Sequence, residues 1–130
     1  MVNLVETSQT RNFKGNVVDI KREEEKDKYP PQYCIYIKAI DHPEWELQKT
    51  WISIPKTTTN TNVPKKSLLG VLIARLSSFG LIADTHQETI MLMKDKTFQW
   101  SDELPKVDGE VVVKKDKLLP SQLYKWKLNG

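Results

Sequence analysis

A single amphipathic helix among short strand-like segments is the feature that most constrains the fold of this chain. The segment "WISIP" at 51–55 is typical of a strand that a proline ends, and a Thr/Asn-rich tract follows it. Apolar residues then recur every three or four positions, which predicts a helix over residues 66–79. They form one stripe: Leu68, Leu69, Leu72, Ile73, Leu76 and Phe79. Gly80 stands where a left-handed helix cap belongs, and Pro64 where a first-turn proline is tolerated.

Most of the remaining chain is predicted to form strands. They cover residues 13–23, 33–40, 45–54, 96–103 and 109–118. Gly15 inside the first strand indicates a bulge or bend, and the short break between strands two and three predicts an antiparallel hairpin. Five short strands have many edges, and closure into a barrel removes most of them. We therefore expect a mainly β, five-stranded antiparallel barrel with one helix between strands three and four.

Residues 81–96 leave two alternatives open. Asp84 with Gln87 resembles a capping box, which favours a short helical turn. The apolar residues of "TIMLM" are equally compatible with the start of a strand.

The length of 130 residues fits one domain with a single core. We divide it into a leader at 1–12, a barrel at 13–118 and a C-terminal tail at 119–130. No apolar run approaches the roughly 18 residues that span a membrane, and the first residues show no signal-peptide pattern. One cysteine cannot form an internal disulfide, so we expect an intracellular, cytoplasmic protein.

This order of elements resembles the oligonucleotide/oligosaccharide-binding fold, the OB-fold. The resemblance rests on Gly15 in strand one, the Ile-rich second strand, the helix 66–79 after "WISIP", and "DKTFQW" followed by "GEVVVK". It covers about residues 13–118. It implies a barrel that binds single-stranded nucleic acid along strands two and three, although other members of the superfamily dock protein.

Strand parity identifies candidate binding residues. Successive side chains of a strand point to opposite faces, so inward-facing isoleucines in strands two and three leave a shared outward set: Tyr36, Lys38, Lys49, Trp51 and Ser53. Aromatic rings stack on bases, and ammonium groups neutralise phosphates. A register slip by one residue would instead place Trp51 in the core. Phe98 and Trp100 share a parity in strand four and are predicted to be core residues.

The tract "KTTTNTNVPKK" at 56–66 is a candidate binding loop. Lys56, Lys65 and Lys66 flank it without a neighbouring acid, and its hydroxyl and amide groups suit phosphate or sugar contacts. A solvated connector is the alternative. The total charge of +3 does not by itself argue for nucleic-acid binding.

Enzymatic chemistry has little support. Asp41, His42 and Glu44 lie close together, but only one other histidine, His86, is present, so we predict no metal site. Cys34 lies in an apolar strand and is predicted to be a buried structural thiol. We predict no cofactor.

The sequence therefore predicts a non-enzymatic protein that binds single-stranded DNA or RNA, with DNA favoured. The alternative is an assembly module in a replication or viral complex, which would dock protein partners, in part through the tail at 119–130. Oligosaccharide binding on the same aromatic face is a third reading.

Overall fold

A computed structural model of the chain describes residues 10–103, 106–107, 110–111 and 126–129. The strands are β1 Thr10–Glu23, β2 Gln32–Ala39, β3 Gln48–Ser53, β4 Thr97–Glu103, β5 Lys106–Val107, β6 Glu110–Val111 and β7 Trp126–Asn129. The helices are α1 Leu68–Ser78 and α2 His86–Met91, and both lie between β3 and β4.

The main sheet is antiparallel, curled and centred on the long strand β1. Its strand order is β3-β2-β1-β4-β7. The first half of β1 pairs with β4 and the second half with β2, so that Gly15 and Asn16 pair with both neighbours. The register with β2 shifts between Val17 and Asp19, and such a bulge bends its strand and increases the twist. Strands β1 to β4 therefore form a half-barrel, with the short β7 along the far side of β4.

The closed five-stranded barrel is not confirmed. Of the segment 109–118, predicted as the fifth strand, the structure describes Glu110–Val111, which pairs with Lys106–Val107 in a separate two-stranded sheet. The strand that pairs with β4 on the side away from β1 is Trp126–Asn129, from the predicted tail. Within the described ranges, no pairing joins β3 to β7. At the other end, β1 begins at Thr10, and the rest of the predicted leader lies outside the described residues.

Gly15 is required by close packing rather than by a bulge. A Cβ atom at this position would overlap the Ile37 side chain, and it would lie 2.7 Å from Trp100 Cδ1 and 2.9 Å from Phe13 Cε2. The Trp100 indole Nε1 also donates to the Gly15 carbonyl oxygen at 3.2 Å. The bulge predicted at Gly15 lies two to four residues further along, at the register shift.

The core lies on the inner side of the half-barrel. The isoleucines of β2 and β3, and the one directly after β3, are buried there: Ile35, Ile37, Ile52 and Ile54. Phe98 and Trp100 of β4 are buried in the same cluster, which confirms their predicted core role. The edge of the Trp100 ring faces Phe98, with ring centroids 6.3 Å apart.

Helix α1 packs its apolar side on the core and contacts β3 and β7. Ser67 caps it: its hydroxyl oxygen accepts from the Gly70 amide and donates to the Pro64 carbonyl oxygen. Leu69, Leu72 and Leu76 are buried, whereas Leu68, predicted in the same stripe, is half exposed. Pro64 lies outside the helix.

The chain turns sharply after α1 at Gly80, whose φ of +84° confirms the predicted left-handed position. The expectation of one helix is wrong, because a second helix, α2, follows. Its capping box is formed by Thr85 and Glu88 rather than by Asp84 and Gln87: the Glu88 amide donates to Thr85 Oγ1 at 3.1 Å, and that hydroxyl donates to Glu88 Oε1 at 3.0 Å. Within the described part of the chain, no helix is long and apolar enough to cross a membrane.

A buried polar pair attaches α2 to the sheet. The Tyr33 hydroxyl and His86 Nδ1 are 2.7 Å apart, and the two rings meet edge to face. The Arg22 guanidinium lies 6.0 Å from the centre of the Tyr33 ring, and Arg22 Nη1 donates to Gln87 Oε1. Burial lowers the pKa of His86, as does the positive charge of Arg22 to a smaller extent. Both effects favour the neutral form of the imidazole.

Candidate nucleic-acid interface

The outward-facing side of β1, β2 and β3 carries the predicted binding residues. We call this surface the outer wall and define it by Lys21 of β1, by Cys34, Tyr36 and Lys38 of β2, and by Lys49, Trp51 and Ser53 of β3. In the register of the sheet, Tyr36 is paired with Lys49, and Cys34 is paired with Trp51. The buried isoleucines alternate with these residues along both strands, so the predicted parity is correct.

The Tyr36 ring lies between two ammonium groups at the centre of the outer wall. Lys49 Nζ is 5.5 Å from the ring centroid and Lys21 Nζ is 5.3 Å from it. Each distance is within the range of a cation–π interaction, worth about 0.5–1 kcal/mol at an exposed site. The two lysines come from the strands on either side of β2, so the sheet itself holds one cation at each side of the ring.

Lys21 was not among the predicted site residues. It opens the run "KREEEKDK", whose interspersed charges predict a solvated hairpin, with ligand contact by Lys21 and Arg22 as the less favoured alternative. In the structure, β1 continues to Glu23, so Lys21 is still a sheet residue and pairs with Cys34. The register shift between Val17 and Asp19 gives Lys21 its outward direction, and strict alternation from the start of the strand does not reveal that shift.

Cys34 is buried although its parity is outward. Its exposed fraction is 1%, and burial raises the pKa of its thiol. A residue on the outside of a sheet is hidden only when neighbouring side chains lie across it. Its neighbours on this surface are Lys21, Tyr36 and Trp51. Hydrogen bonding with the Cys34 thiol raises the pKa of Tyr36, so the phenol stays protonated and can act as a donor.

Trp51 is partly exposed and lies outside the core cluster. The register slip that would have buried it does not occur. Lys38 and Ser53 are exposed at opposite ends of the wall. The wall thus offers one indole and one phenol ring on neighbouring strands.

Acidic residues limit the positive charge of the outer wall and confine it to one side. Asp19 of β1 is paired with Tyr36, and its carboxylate accepts from the Ile20 amide at 2.9 Å. Glu23 is paired with Gln32 at the far end of β1. Both acids lie on β1, whereas the charged residues that β2 and β3 contribute to the wall are lysines. An anion is therefore favoured over β2 and β3.

The loop 56–66 is ordered by its own hydrogen bonds. The Thr59 amide donates to the Asn62 carbonyl oxygen, and the Asn62 amide donates to Thr59 Oγ1. The His86 amide donates to the Asn60 carbonyl oxygen at 3.0 Å, which attaches the loop to α2. These bonds give the loop a defined path, while most of its residues are exposed to solvent, so the binding loop and the solvated connector both stay open.

The three loop lysines are all exposed, but they do not share one surface. Lys56 lies in the turn after Pro55, where the Thr58 amide donates to the Pro55 carbonyl oxygen at 3.0 Å. Lys65 lines a groove between α1 and α2. Lys66 stands beside it in the turn that precedes α1. The structure therefore brings Tyr36, Lys49 and Trp51 together, and it separates Lys65 from them.

The candidate metal ligands of the hairpin between β2 and β3, Asp41, His42 and Glu44, contact other protein groups. His42 stacks on Trp45 with ring centroids 3.8 Å apart, and His42 Nδ1 is 3.5 Å from Glu44 Oε1. Both carboxylate oxygens of Asp41 accept from the Lys14 amide at 3.1 Å. In the portion of the chain that the structure describes, no group of three or more His, Cys, Asp or Glu side chains is arranged to hold a metal ion.

Fold and site together define a mainly β protein: a curled antiparallel half-barrel with two short helices and an outward aromatic and basic wall. In comparisons with known proteins, no family model, no curated protein and no solved structure matched the chain.

Proposed function

We propose that this chain is an intracellular, non-enzymatic protein with an OB-fold-like half-barrel that binds single-stranded nucleic acid, DNA foremost, on its outer wall. The observation that carries the proposal is the Tyr36 ring between Lys21 and Lys49, next to the partly exposed Trp51. Bases stack on the faces of aromatic rings, and phosphates pair with cations. The outer wall offers both kinds of group on adjacent strands.

A base that stacks on Tyr36 must replace a cation–π contact between the ring and a lysine, and this replacement is favourable. In the free protein, the two ammonium groups occupy the surroundings of the ring. Each such contact is worth about 0.5–1 kcal/mol, whereas a stacked base contributes roughly 1–3 kcal/mol. A base therefore displaces a lysine from the ring, and the displaced ammonium group becomes available to the adjacent phosphate.

Trp51 provides the second stacking position, and Lys38 and Ser53 extend the surface at its two ends. Tyr36 is paired with Lys49, so Tyr36 and Trp51 are diagonal neighbours on β2 and β3, and such positions lie about 7–8 Å apart. This separation suits successive bases of a nucleic-acid strand whose bases are not stacked on each other. Lys56, in the turn that follows β3, is a further candidate for a phosphate contact. Lys65 and Lys66 lie at the far end of the loop, where Lys65 lines the groove between α1 and α2.

The strand order supports the OB-fold resemblance. Strands β1 to β4 form the half-barrel, and the connection between β3 and β4 is helical. Helix α1 contacts both β3 and β7, which are the two edge strands of the sheet. A helix that covers the open side of a half-barrel replaces part of the closure that a fifth long strand would supply. In the OB-fold, the face of strands two and three is a ligand surface.

Fluorescence polarisation of short labelled oligonucleotides, measured at two salt concentrations, tests the proposal. We expect saturable binding of single-stranded DNA that weakens at the higher salt concentration, because phosphate contacts release counterions. Unlabelled single-stranded RNA, duplex DNA and an oligosaccharide serve as competitors. Competition by the sugar alone, or the absence of any oligonucleotide binding, would refute the proposal.

A protein-docking module is the second candidate. Exposed apolar side chains favour it: Val71 on α1 is 54% exposed and Ile82 after α1 is 70% exposed. The C-terminal tail offers less than the sequence predicted, because Trp126–Asn129 pairs with β4. Concentration-dependent self-association without oligonucleotide affinity, measured by analytical ultracentrifugation, would favour this second candidate.

A further inference from the structure

A second surface has the chemistry of a small-ligand site. A groove of about 670 Å³ lies where the C-terminal end of α1 meets the start of β4. This volume is within the usual range of about 300–1,000 Å³ for small-molecule sites. The outer-wall residues do not line it, so the groove is a separate feature of the fold.

The floor of this groove is apolar and partly aromatic. Phe79, Leu81 and Phe98 contribute to it. The Phe79 and Phe98 rings are stacked, with centroids 6.0 Å apart and an interplanar angle of 27°. Phe79 and Leu81 are partly exposed. Their exposed parts suit a flat aromatic group.

The rim of the groove is basic. Lys14 and Lys96 line it, and none of the described residues that line it is acidic. Two acids lie close by: the carboxylate of Asp41 accepts from the Lys14 amide, and Asp95 precedes Lys96 in the chain. They offset part of the positive charge, so both lysines are needed to attract an anion. Gln99 and Thr97 add an amide and a hydroxyl group to the lining.

We propose that this groove binds a nucleoside monophosphate, with the base on the Phe79 side and the phosphate between Lys14 and Lys96. The amide of Gln99 pairs with the polar edge of the base. An acyl chain with a carboxylate is the competing ligand class. The groove lies open at the surface and has polar groups along its lining, which favours a base over a chain that needs an enclosed apolar tunnel.

Backbone hydrogen bonds hold the groove in place. The Val17 amide donates to the Lys96 carbonyl oxygen at 2.9 Å, and the Asp95 amide donates to the Val17 carbonyl oxygen at 2.7 Å. On the other side, the Leu81 amide donates to the Leu76 carbonyl oxygen at 2.9 Å. Lys96 and Leu81 therefore start from fixed positions, and little ordering is needed when a ligand binds.

Amide NMR of the ¹⁵N-labelled full chain, titrated with 2′-deoxyadenosine 5′-monophosphate, tests this site. We expect saturable shifts at Leu81, Thr97 and Gln99, with a Kd at least tenfold lower than for deoxyadenosine or inorganic phosphate alone. The double variant K14A/K96A should raise the Kd at least tenfold. The control K94A removes a neighbouring exposed lysine that does not line the groove, and it should leave the Kd unchanged.

Three results would overturn the site. These are equal affinities for the nucleotide and its two fragments, an unchanged Kd in K14A/K96A, or saturation of the same amides by laurate with no competition from the nucleotide. The last result would assign the groove to an acyl chain. Oligonucleotide binding at the outer-wall amides is measured separately, so any of these three results would refute this site while leaving the proposed function intact.

Discussion

Cys34 and Trp51 are paired across β2 and β3 on the outward side of the sheet, and yet Cys34 is almost completely buried. The neighbours of Cys34 on this side carry the large side chains of Lys21, Tyr36 and Trp51. The burial of the thiol therefore reports on how the side chains of the outer wall pack around it.

Replacing Trp51 with alanine should weaken oligonucleotide binding by about 1–3 kcal/mol, since one stacking surface is lost. The free energy of unfolding should change little, because Trp51 lies outside the core cluster. Fluorescence polarisation gives the affinity, and urea unfolding gives the stability. Trp51→Phe should recover part of the affinity. A collapse of stability in Trp51→Ala would mean that the indole supports the fold rather than a ligand.

The rate at which the Cys34 thiol reacts should measure how well neighbouring side chains of the outer wall shield its sulfur from solvent. Burial raises the pKa of this thiol, so the wild-type protein should react slowly with a disulfide reagent near neutral pH. Trp51→Ala should accelerate the reaction, because it removes a neighbouring side chain. A saturating oligonucleotide should slow the reaction in the wild type. Equal rates in the wild type, the variant and the complex would contradict a Trp51 side chain that covers the sulfur.

The salt dependence of binding should identify which lysines contact phosphate. For single strands, log K falls with log salt by about 0.7 for each phosphate contact, so K21A/K49A should reduce the slope by about 1.4. K65A/K66A should reduce it less, because Lys65 lines the groove between α1 and α2. K26A/K28A is the matched control, with the same loss of charge in the turn between β1 and β2. An equal reduction in all three variants would indicate a diffuse charge effect without a defined site.

Two hydrophobic periodicities in the sequence, one of strands and one of a helix, predicted the main elements of the fold. Alternation in "YCIYIKAI" and "KTWISI" follows from burial on one side of the sheet, and it correctly placed the isoleucines inside. The three-to-four-residue spacing of leucines correctly predicted α1. Both patterns are local, and local patterns are what a single sequence carries most clearly.

Features that depend on distant partners were not predictable. The pairing of Trp126–Asn129 with β4 joins segments about 25 residues apart across a stretch that contains other strand-like runs. The role of Lys21 depends on the register shift beside Val17, and the cover over Cys34 depends on β1 and β3 together. In each case the residue type is visible in the sequence, but its neighbours are set by strand pairing and cannot be predicted from the sequence alone.

Stability should fall as pH decreases, because of His86. Burial lowers the pKa of His86 in the folded state below 6.5, the value of the unfolded chain. Below pH 6.5 the unfolded state therefore binds more protons, so the free energy of unfolding decreases as pH falls from 6.5 through the folded-state pKa. Urea unfolding between pH 8 and 5 measures this decrease.

His86→Gln should reduce that pH dependence, although it should also lower stability at pH 8 through weaker contact with Tyr33. The hydroxyl group of Tyr33 and the charges of Arg22 and Glu24 lie around this position. His42→Gln, on the hairpin between β2 and β3, is the matched comparison, because it removes the other histidine of the chain without touching Tyr33. A pH dependence in His86→Gln equal to that of the wild type would assign the effect to other groups.

Gly15→Ala should be the most damaging small substitution in the sheet. The added Cβ would overlap Ile37 and crowd Trp100 and Phe13, so we expect a loss of about 3 kcal/mol, the upper end of the usual cost of overpacking. Gly80→Ala is the matched comparison. Its Cβ would enter open space, and only the φ of +84° opposes it, at about 1–2 kcal/mol.

Near-ultraviolet circular dichroism distinguishes the two glycine variants further. Gly15→Ala should change the tryptophan signal, since Trp100 must move and its indole bond to the Gly15 carbonyl oxygen must lengthen. Gly80→Ala should leave this signal unchanged, because no atom approaches its Cβ. Equal costs in urea and identical spectra would mean that β1 relaxes around the new methyl group. In that case β1 would not hold the outer wall in the rigid register on which Lys21, Tyr36 and Lys49 depend.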